Sequence, residues 1–186
     1  MSSQQDAETD EELALLVQGN NQEAFGVLMD RYQDKLLRYG RRFLTQDESI
    51  VDVVQEVFIK AYQHIQSFDA SRRFSPWMYR IAHNAFINEI RRKKRDPLLY
   101  IDLDAVIDHP SYEFDPLADE ERVEMQALME KGLNALTPAY KEIIILYYIE
   151  GQGYEEISDI LQIPIGTVGV RLRRARVKLK EYVQGN

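Results

Sequence analysis

The chain has 186 residues, 45% of them hydrophobic, enough to pack one large or two small domains and too apolar for a disordered regulator. It contains no cysteine, and its only imidazoles, His64, His83 and His109, are scattered without ligand spacing, so no disulfide, metal site or Ser-His-Asp arrangement is expected. The formal charge of −8 hides a strong segregation along the chain.

The opening stretch "MSSQQDAETDEE" holds five acids and no base, and it lacks the cationic head and apolar run of a secretory signal. No apolar run reaches the roughly 20 residues of a membrane span. Thr9-x-x-Glu12 reads as a capping box that opens a helix through Leu13, Leu16 and Val17. A second apolar stripe at helical period runs Phe25, Leu28, Met29, Tyr32, Leu36, and a third runs Ile50, Val54, Val57, Phe58, Ala61, Ile65. Ser75-Pro76 predicts an N-cap followed by proline at the first helical position. The helix it opens continues through Trp77, Ile81 and Ala85 into the run "RRKKR". Between residues 72 and 95 there are eight bases against Glu89 alone.

At 100° per residue, Trp77, Met78, Ile81, Ala82, Ala85 and Phe86 form the core face of that helix. Arg80, Asn84, Asn88, Arg91 and Arg95 fall along another line, and over fifteen steps this ridge is about 22 Å long. Amides bond base edges bidentately and arginines bond phosphate or guanine, so a ridge of asparagines between arginines suits a nucleic acid. The bland alternative is a solvated helix face ending in a basic run. Phe74 and Tyr79, beside the ridge, are candidate stacking rings for unpaired bases, whereas Trp77 reads as core first.

Helical period stops after Asp96. The stretch "DPLLYIDLDAVIDHPSYEFDP" carries three prolines, and residues 96–126 hold ten acids against Arg122 alone, which reads as an acidic linker. Period resumes near Asp119 with Val123, Leu128, Leu133 and Leu136. Thr137-Pro138 opens a further helix, rich in apolar residues from Ile143 to Tyr148 and ended by Gly151 and Gly153. Residues 153–180, "GYEEISDILQIPIGTVGVRLRRARVKLK", have helix-turn-helix form: a short helix with Ile157, Ile160 and Leu161 inward, a turn at Gln162-Ile163-Pro164, and a long helix burying Val168, Leu172, Ala175 and Leu179. The second helix of such a unit lies in a major groove, and this one carries six bases and no acid between residues 171 and 180. A basic amphipathic helix bound to a protein or membrane surface is the competing reading.

The expected fold class is all-α: two small helical domains joined by an acidic flexible linker, the second containing a helix-turn-helix. Period-two strand patterns and internal repeats are absent from the sequence. The expected domains are 1–95, a linker over 96–118, and 119–186.

"DESIVDVVQEVFIKAYQHIQSFD", "FSPWMYRIAHNAFINEIRR" and "LTPAYKEIIILYYIEGQGYEEISDILQIPIGTVGVRLRRAR" occur in the order in which similar motifs stand in extracytoplasmic-function sigma factors, the small promoter-specificity subunits of bacterial RNA polymerase. The resemblance covers nearly the full chain. It implies that the first domain captures the melted −10 element and the second reads the −35 element as duplex. It implies −10 contacts by Arg80, Asn84 and Asn88 around an extruded base, with His83 and Arg91 near the strand. It implies −35 contacts by Gly169, Val170, Arg173 and Arg174 in the major groove and by Thr167 and Arg171 on phosphates. Asp52, Gln55, Glu56 and Phe58 match the surface that docks on the polymerase clamp. The implied partners are core RNA polymerase, promoter DNA and an anti-sigma factor, often membrane-anchored. No cofactor, small-molecule substrate or enzymatic activity is implied, and the implied location is the cytoplasm.

The chain departs from the family pattern at several places. Asn88 stands for a common aspartate and His83 for a frequent arginine. Gln162 stands for the usual turn glycine, at a position that often needs positive φ. Gly169-Val170 replaces a typical basic-Ser pair, which removes two polar base readers and predicts an altered −35 preference. The acidic linker suits a positively charged polymerase channel as a nucleic-acid mimic, or shields the two basic helices in the free protein. An autonomous helix-turn-helix regulator with a sensory or dimerising first domain is the alternative function; it would bind duplex unaided and has no use for the asparagine ridge. A nucleic-acid enzyme is disfavoured for want of a carboxylate or histidine constellation.

Overall fold

The computed structural model describes residues 8–44, 46–95, 132–133 and 135–184. Contacts divide the chain into two compact units, Met1–Asp102 and Leu103–Asn186. Among the described residues there is no strand. The expected 96–118 linker, and Val123 and Leu128, lie outside the described residues.

The first unit contains α1 (Asp10–Gln18), α2 (Gln22–Gly40), α3 (Asp47–His64), a 3-10 turn (Ile65–Ser67) and α4 (Phe74–Arg95). The expected capping box holds α1: the Glu12 amide donates to Thr9 Oγ1 at 3.2 Å, and the Thr9 amide donates to Glu12 Oε2 at 2.8 Å. Leu13 and Val17 are buried, but Leu16 faces outward, because the buried face of this short helix is completed by Ala14 instead. Phe25, Leu28, Tyr32 and Leu36 of α2 and all six apolar residues expected of the third stripe are buried. Met29 is only half-buried, at the edge of the stripe. Helix α2 approaches its neighbours closely at Gly40. A Cβ there would overlap the Phe86 ring and lie 2.7 Å from Ile50 Cγ2.

Helix α4 begins at Phe74, before the Ser75-Pro76 cap expected from sequence. Its first amide finds its acceptor on another helix, since Phe74 N donates to Glu11 Oε1 at 2.7 Å. Pro76 still falls in the first turn, where a missing N–H costs nothing.

The second unit contains α5 (Pro138–Tyr148), α6 (Tyr154–Leu161) and α7 (Ile165–Gln184). Thr137 caps α5 with extended backbone and proline follows at the first position, as the sequence predicts. The core is Leu133, Leu136 and Ile143 to Leu146, closed by Ile157, Ile160, Val168, Leu172 and Ala175. Leu161 and Leu179 are half-buried at its margin. Both α5 and α6 pack on α7. The turn between α6 and α7 passes through Gln162 at φ 54°, ψ 44°, in the left-handed region foreseen for that position. Ser158 Oγ donates to the Ile163 carbonyl at 2.6 Å and braces the turn.

Candidate nucleic-acid interface

In the first unit, helix α4 carries a candidate interface of its own. Its packing against α3 buries Met78, Ala82, Ala85 and Phe86, which fixes the phase of every other side chain on it. Asn84, Asn88 and Arg91 are exposed, and Arg80 and His83 are half-buried. The ridge expected from sequence is therefore brought together on one accessible line from Arg80 to Arg91. The side chain of Arg95 lies outside the described residues. The His83 ring leans edge-on against Phe43, with centroids 6.2 Å apart.

Two expected stacking rings are not available. Phe74 is 0% and Tyr79 1% exposed. Phe74 is enclosed by the rings of Tyr32, Phe68 and Trp77 at 5.3–5.5 Å, and Tyr79 meets Tyr39 edge-on at 5.3 Å. Both are core residues, because the phase set by Met78 and Ala82 turns them inward. Trp77, expected in the core, packs on Phe68 and Phe74 with ring centroids 5.3 and 5.4 Å away, but it is half-buried and keeps part of its ring accessible.

Two cations of the basic run at the end of α4 have partners within the protein. Arg92 donates to Glu89 Oε2 from Nε at 2.7 Å and to Oε1 from Nη2 at 2.9 Å, so the one acid of the helix is occupied. That carboxylate, together with the more distant Glu56 and Asp52, raises the Arg92 pKa further. Lys93 Nζ donates to Ser49 Oγ at 3.0 Å, tying the run to α3. The i, i+3 spacing of Glu89 and Arg92 was the available sequence signal for the pair.

In the second unit, helix α7 carries a separate candidate interface. Val170 is 50% exposed, Arg173 and Arg174 are exposed, and Thr167, Gly169 and Arg171 are half-buried. Thr167, Val170, Arg171 and Arg174 line a groove of about 520 Å³ with Thr137 and Tyr140 at the start of α5. A Cβ at Gly169 would sit 3.6 Å from Tyr154 Cε2, an ordinary contact, so nothing steric requires glycine there. Further along, Arg176 lies over the rings of Tyr147 and Tyr148 at 5.4 and 5.3 Å, and Lys178 over Tyr140 at 6.0 Å. These two cations serve the packing of α5 on α7, a role the basic run did not announce.

On α3, Asp52, Gln55 and Glu56 are exposed, and Glu56 accepts from Lys60 at 2.6 Å. Phe58 is buried against Phe25, yet its ring and Gln55 line an apolar groove of about 590 Å³ between α2 and α3, with Val51, Ile59 and Tyr62 exposed at its rim. Phe58 thus contributes to a groove wall and not to a protruding contact. No group of three or more histidine, aspartate or glutamate side chains able to hold a metal occurs among the described residues.

Comparison with known proteins matches sigma-70 region 2 over residues 28–96 and sigma-70 region 4 over residues 126–179. The chain is 34% identical to ECF RNA polymerase sigma factor SigW of Bacillus subtilis, over 90% of this chain and 93% of that one. It is also 34% identical to ECF RNA polymerase sigma-E factor of Escherichia coli K12, over 95% of each. The solved structure of CnrH in complex with the cytosolic domain of CnrY matches with a TM-score of 0.67 at 26% identity, covering 96% of this chain and 99% of that one. Sigma factor RpoE of Bartonella quintana, solved with the anti-sigma factor NepR, has the same fold at a TM-score of 0.68 and 23% identity, covering 86% and 96%.

Proposed function

Because the chain belongs to the extracytoplasmic-function sigma factors, alternative sigma factors that direct RNA polymerase to start transcription, we propose that its two exposed helix faces divide the promoter between them. It is a DNA-binding initiation subunit and not an enzyme. Helix α4 takes the melted −10 strand. Asn84 and Asn88 read base edges there, Arg80 and Arg91 hold the backbone, His83 lies beside the strand, and the accessible part of half-buried Trp77 offers a stacking surface. Helix α7 enters the −35 major groove. Arg173 and Arg174 meet bases, Thr167 and Arg171 meet phosphates, and Gly169-Val170 presents an apolar surface suited to a thymine methyl. The domain assignment follows, with residues 1–95 for −10 recognition, 96–118 as connector and 119–186 for −35 recognition.

Polymerase docks on α3. Asp52 and Glu56 supply acid for a basic partner, and the apolar groove walled by Gln55 and Phe58 receives its hydrophobic side chains. CnrH is solved with the cytosolic domain of CnrY and RpoE with the anti-sigma factor NepR, and an anti-sigma factor is the proposed restraint on this chain. The site of action is the cytoplasm, where polymerase and promoter are. Among the described residues, no helix is long and apolar enough to cross a membrane.

The observation that carries this reading is the accessible line of Arg80, Asn84, Asn88 and Arg91 on α4. A regulator that binds only duplex, the competing reading, gains nothing from a second basic helix bearing paired amides. Transcription in vitro with purified core polymerase and a randomised promoter library tests it. Starts should appear that share both a −35 and a −10 sequence, and they should require this chain. Duplex binding without polymerase at paired half-sites, with no transcription directed, would favour the regulator.

A further inference from the structure

Helix α1 carries none of the residues assigned to DNA reading, yet its polar side chains reach both ends of the segment that leads into α4. At its C-terminal end, Gln18 Nε2 donates to the Ile65 carbonyl at 2.7 Å and to the Phe68 carbonyl at 2.9 Å. Gln66 Nε2 returns the contact by donating to the Gln18 carbonyl at 3.0 Å. At its N-terminal end, Glu11 Oε1 accepts from the Phe74 amide, the first of α4. Glu11 and Gln18 are seven residues apart, so they share one face of α1, separated by about 10 Å.

Helix α1 is itself firmly held. Besides its capping box, Asp10 accepts from Arg31 Nη1 at 2.8 Å and from the Tyr32 hydroxyl at 2.6 Å. Burial first, and then Asp10, push the Tyr32 pKa far above the usual range, so the hydroxyl stays a donor at any working pH. Between the two anchors the connector makes its own tight turn: the Ser71 amide donates to Asp69 Oδ1 at 3.0 Å, and the Arg72 amide to the Asp69 carbonyl at 3.0 Å. Residues 71–73 are exposed, while Phe68 and Phe74 meet edge-on beneath them at 5.3 Å.

We propose that α1 is a strap that sets the path of residues 65–74 and the starting register of α4, with Glu11 and Gln18 as positioning residues for −10 engagement. A slip of one residue at the start of α4 would rotate the Arg80–Asn84–Asn88 line by about 100°, away from the strand. The acceptor on the first amide and the donor on two connector carbonyls oppose such a slip from outside the helix. This rests on the assignment of α4 to the −10 strand.

The test uses the full chain with core polymerase on a promoter it transcribes. Glu11→Ala and Gln18→Glu each remove one anchor, whereas Glu11→Gln keeps a carbonyl acceptor. The first two variants should slow open-complex formation about tenfold and flatten discrimination at −10. They should also speed amide exchange at Phe74 and through the connector, leaving −35 discrimination and polymerase affinity as in the parent. Glu11→Gln should stay within about twofold of the parent. Faster exchange with unchanged opening would reduce the anchors to structural bonds. Parallel loss of −10 and −35 discrimination, or of polymerase affinity, would mean a general folding fault and would equally overturn the proposal. If instead Asn84→Ala leaves −10 discrimination intact, the assignment of α4 fails, independently of the strap.

Discussion

In the proposed −10 reading Asn84 is the central residue, exposed midway between Arg80 and Asn88, each one turn away along the ridge. Asn84→Ala should cost about 1–3 kcal/mol at one −10 position and flatten preference there, measured by transcription from single-substitution promoters. An equal loss on every promoter would mean that the amide is structural. On α7, Arg174→Ala should change −35 choice, whereas Arg171→Ala, half-buried beside the groove, should weaken binding uniformly and lower the salt slope by about one. Gly40 makes a purely structural prediction. Gly40→Ala would drive a methyl into Phe86 and Ile50, so it should destabilise the first unit by about 1–3 kcal/mol in a urea titration without altering any DNA contact. At this scale the polar ridge was legible, because amides and arginines at spacings of three and four define a line in any straight helix. The roles of Phe74, Tyr79 and Trp77 were not. Aromatic side chains serve core and interface equally well, and only the helix phase fixed by Met78 and Ala82 separates them.

Helix existence and type were legible for the same reason that the core exists: apolar residues at helical period must share a face, and a buried face must find a partner. Boundaries were less so. The first amide of α4 is bonded to a carboxylate 63 positions earlier in the chain, and local capping rules contain no such term. The opposite case is the turn between α6 and α7, where a local rule sufficed. A glutamine in a glycine position implied left-handed backbone, and Gln162 adopts φ 54°. Left-handed geometry costs a side-chain-bearing residue about 1–2 kcal/mol, and glycine returns part of that through its freer unfolded chain. Gln162→Gly should therefore raise the stability of the helix-turn-helix unit by roughly 0.5–1 kcal/mol, read as a higher urea midpoint for the second unit. The exposed bond from Gln162 Nε2 to the Asp159 carbonyl, 2.7 Å, opposes this gain. A lower midpoint would show that the bond outweighs the strain.

Across the whole chain, charge is arranged as a basic helix, a block of ten acids and a second basic helix, while the sum is −8. A net negative chain is repelled by DNA at long range, and carboxylates tethered to both basic helices raise the local concentration of competing anions. Four cations of the basic faces, Arg92, Lys93, Arg176 and Lys178, also have partners within the protein. Masking by the acidic block favours low affinity for DNA in the absence of polymerase. Replacing Asp102, Asp104, Asp108, Glu113 and Asp115 by their amides should then raise DNA binding by the free chain at low salt. Salt above about 0.5 M should erase the difference, because the Debye length there falls well under 10 Å. Both arms are read by fluorescence anisotropy on one duplex across a salt series. Unchanged affinity at low salt would separate the acidic block from DNA avoidance and leave it only a role on the polymerase.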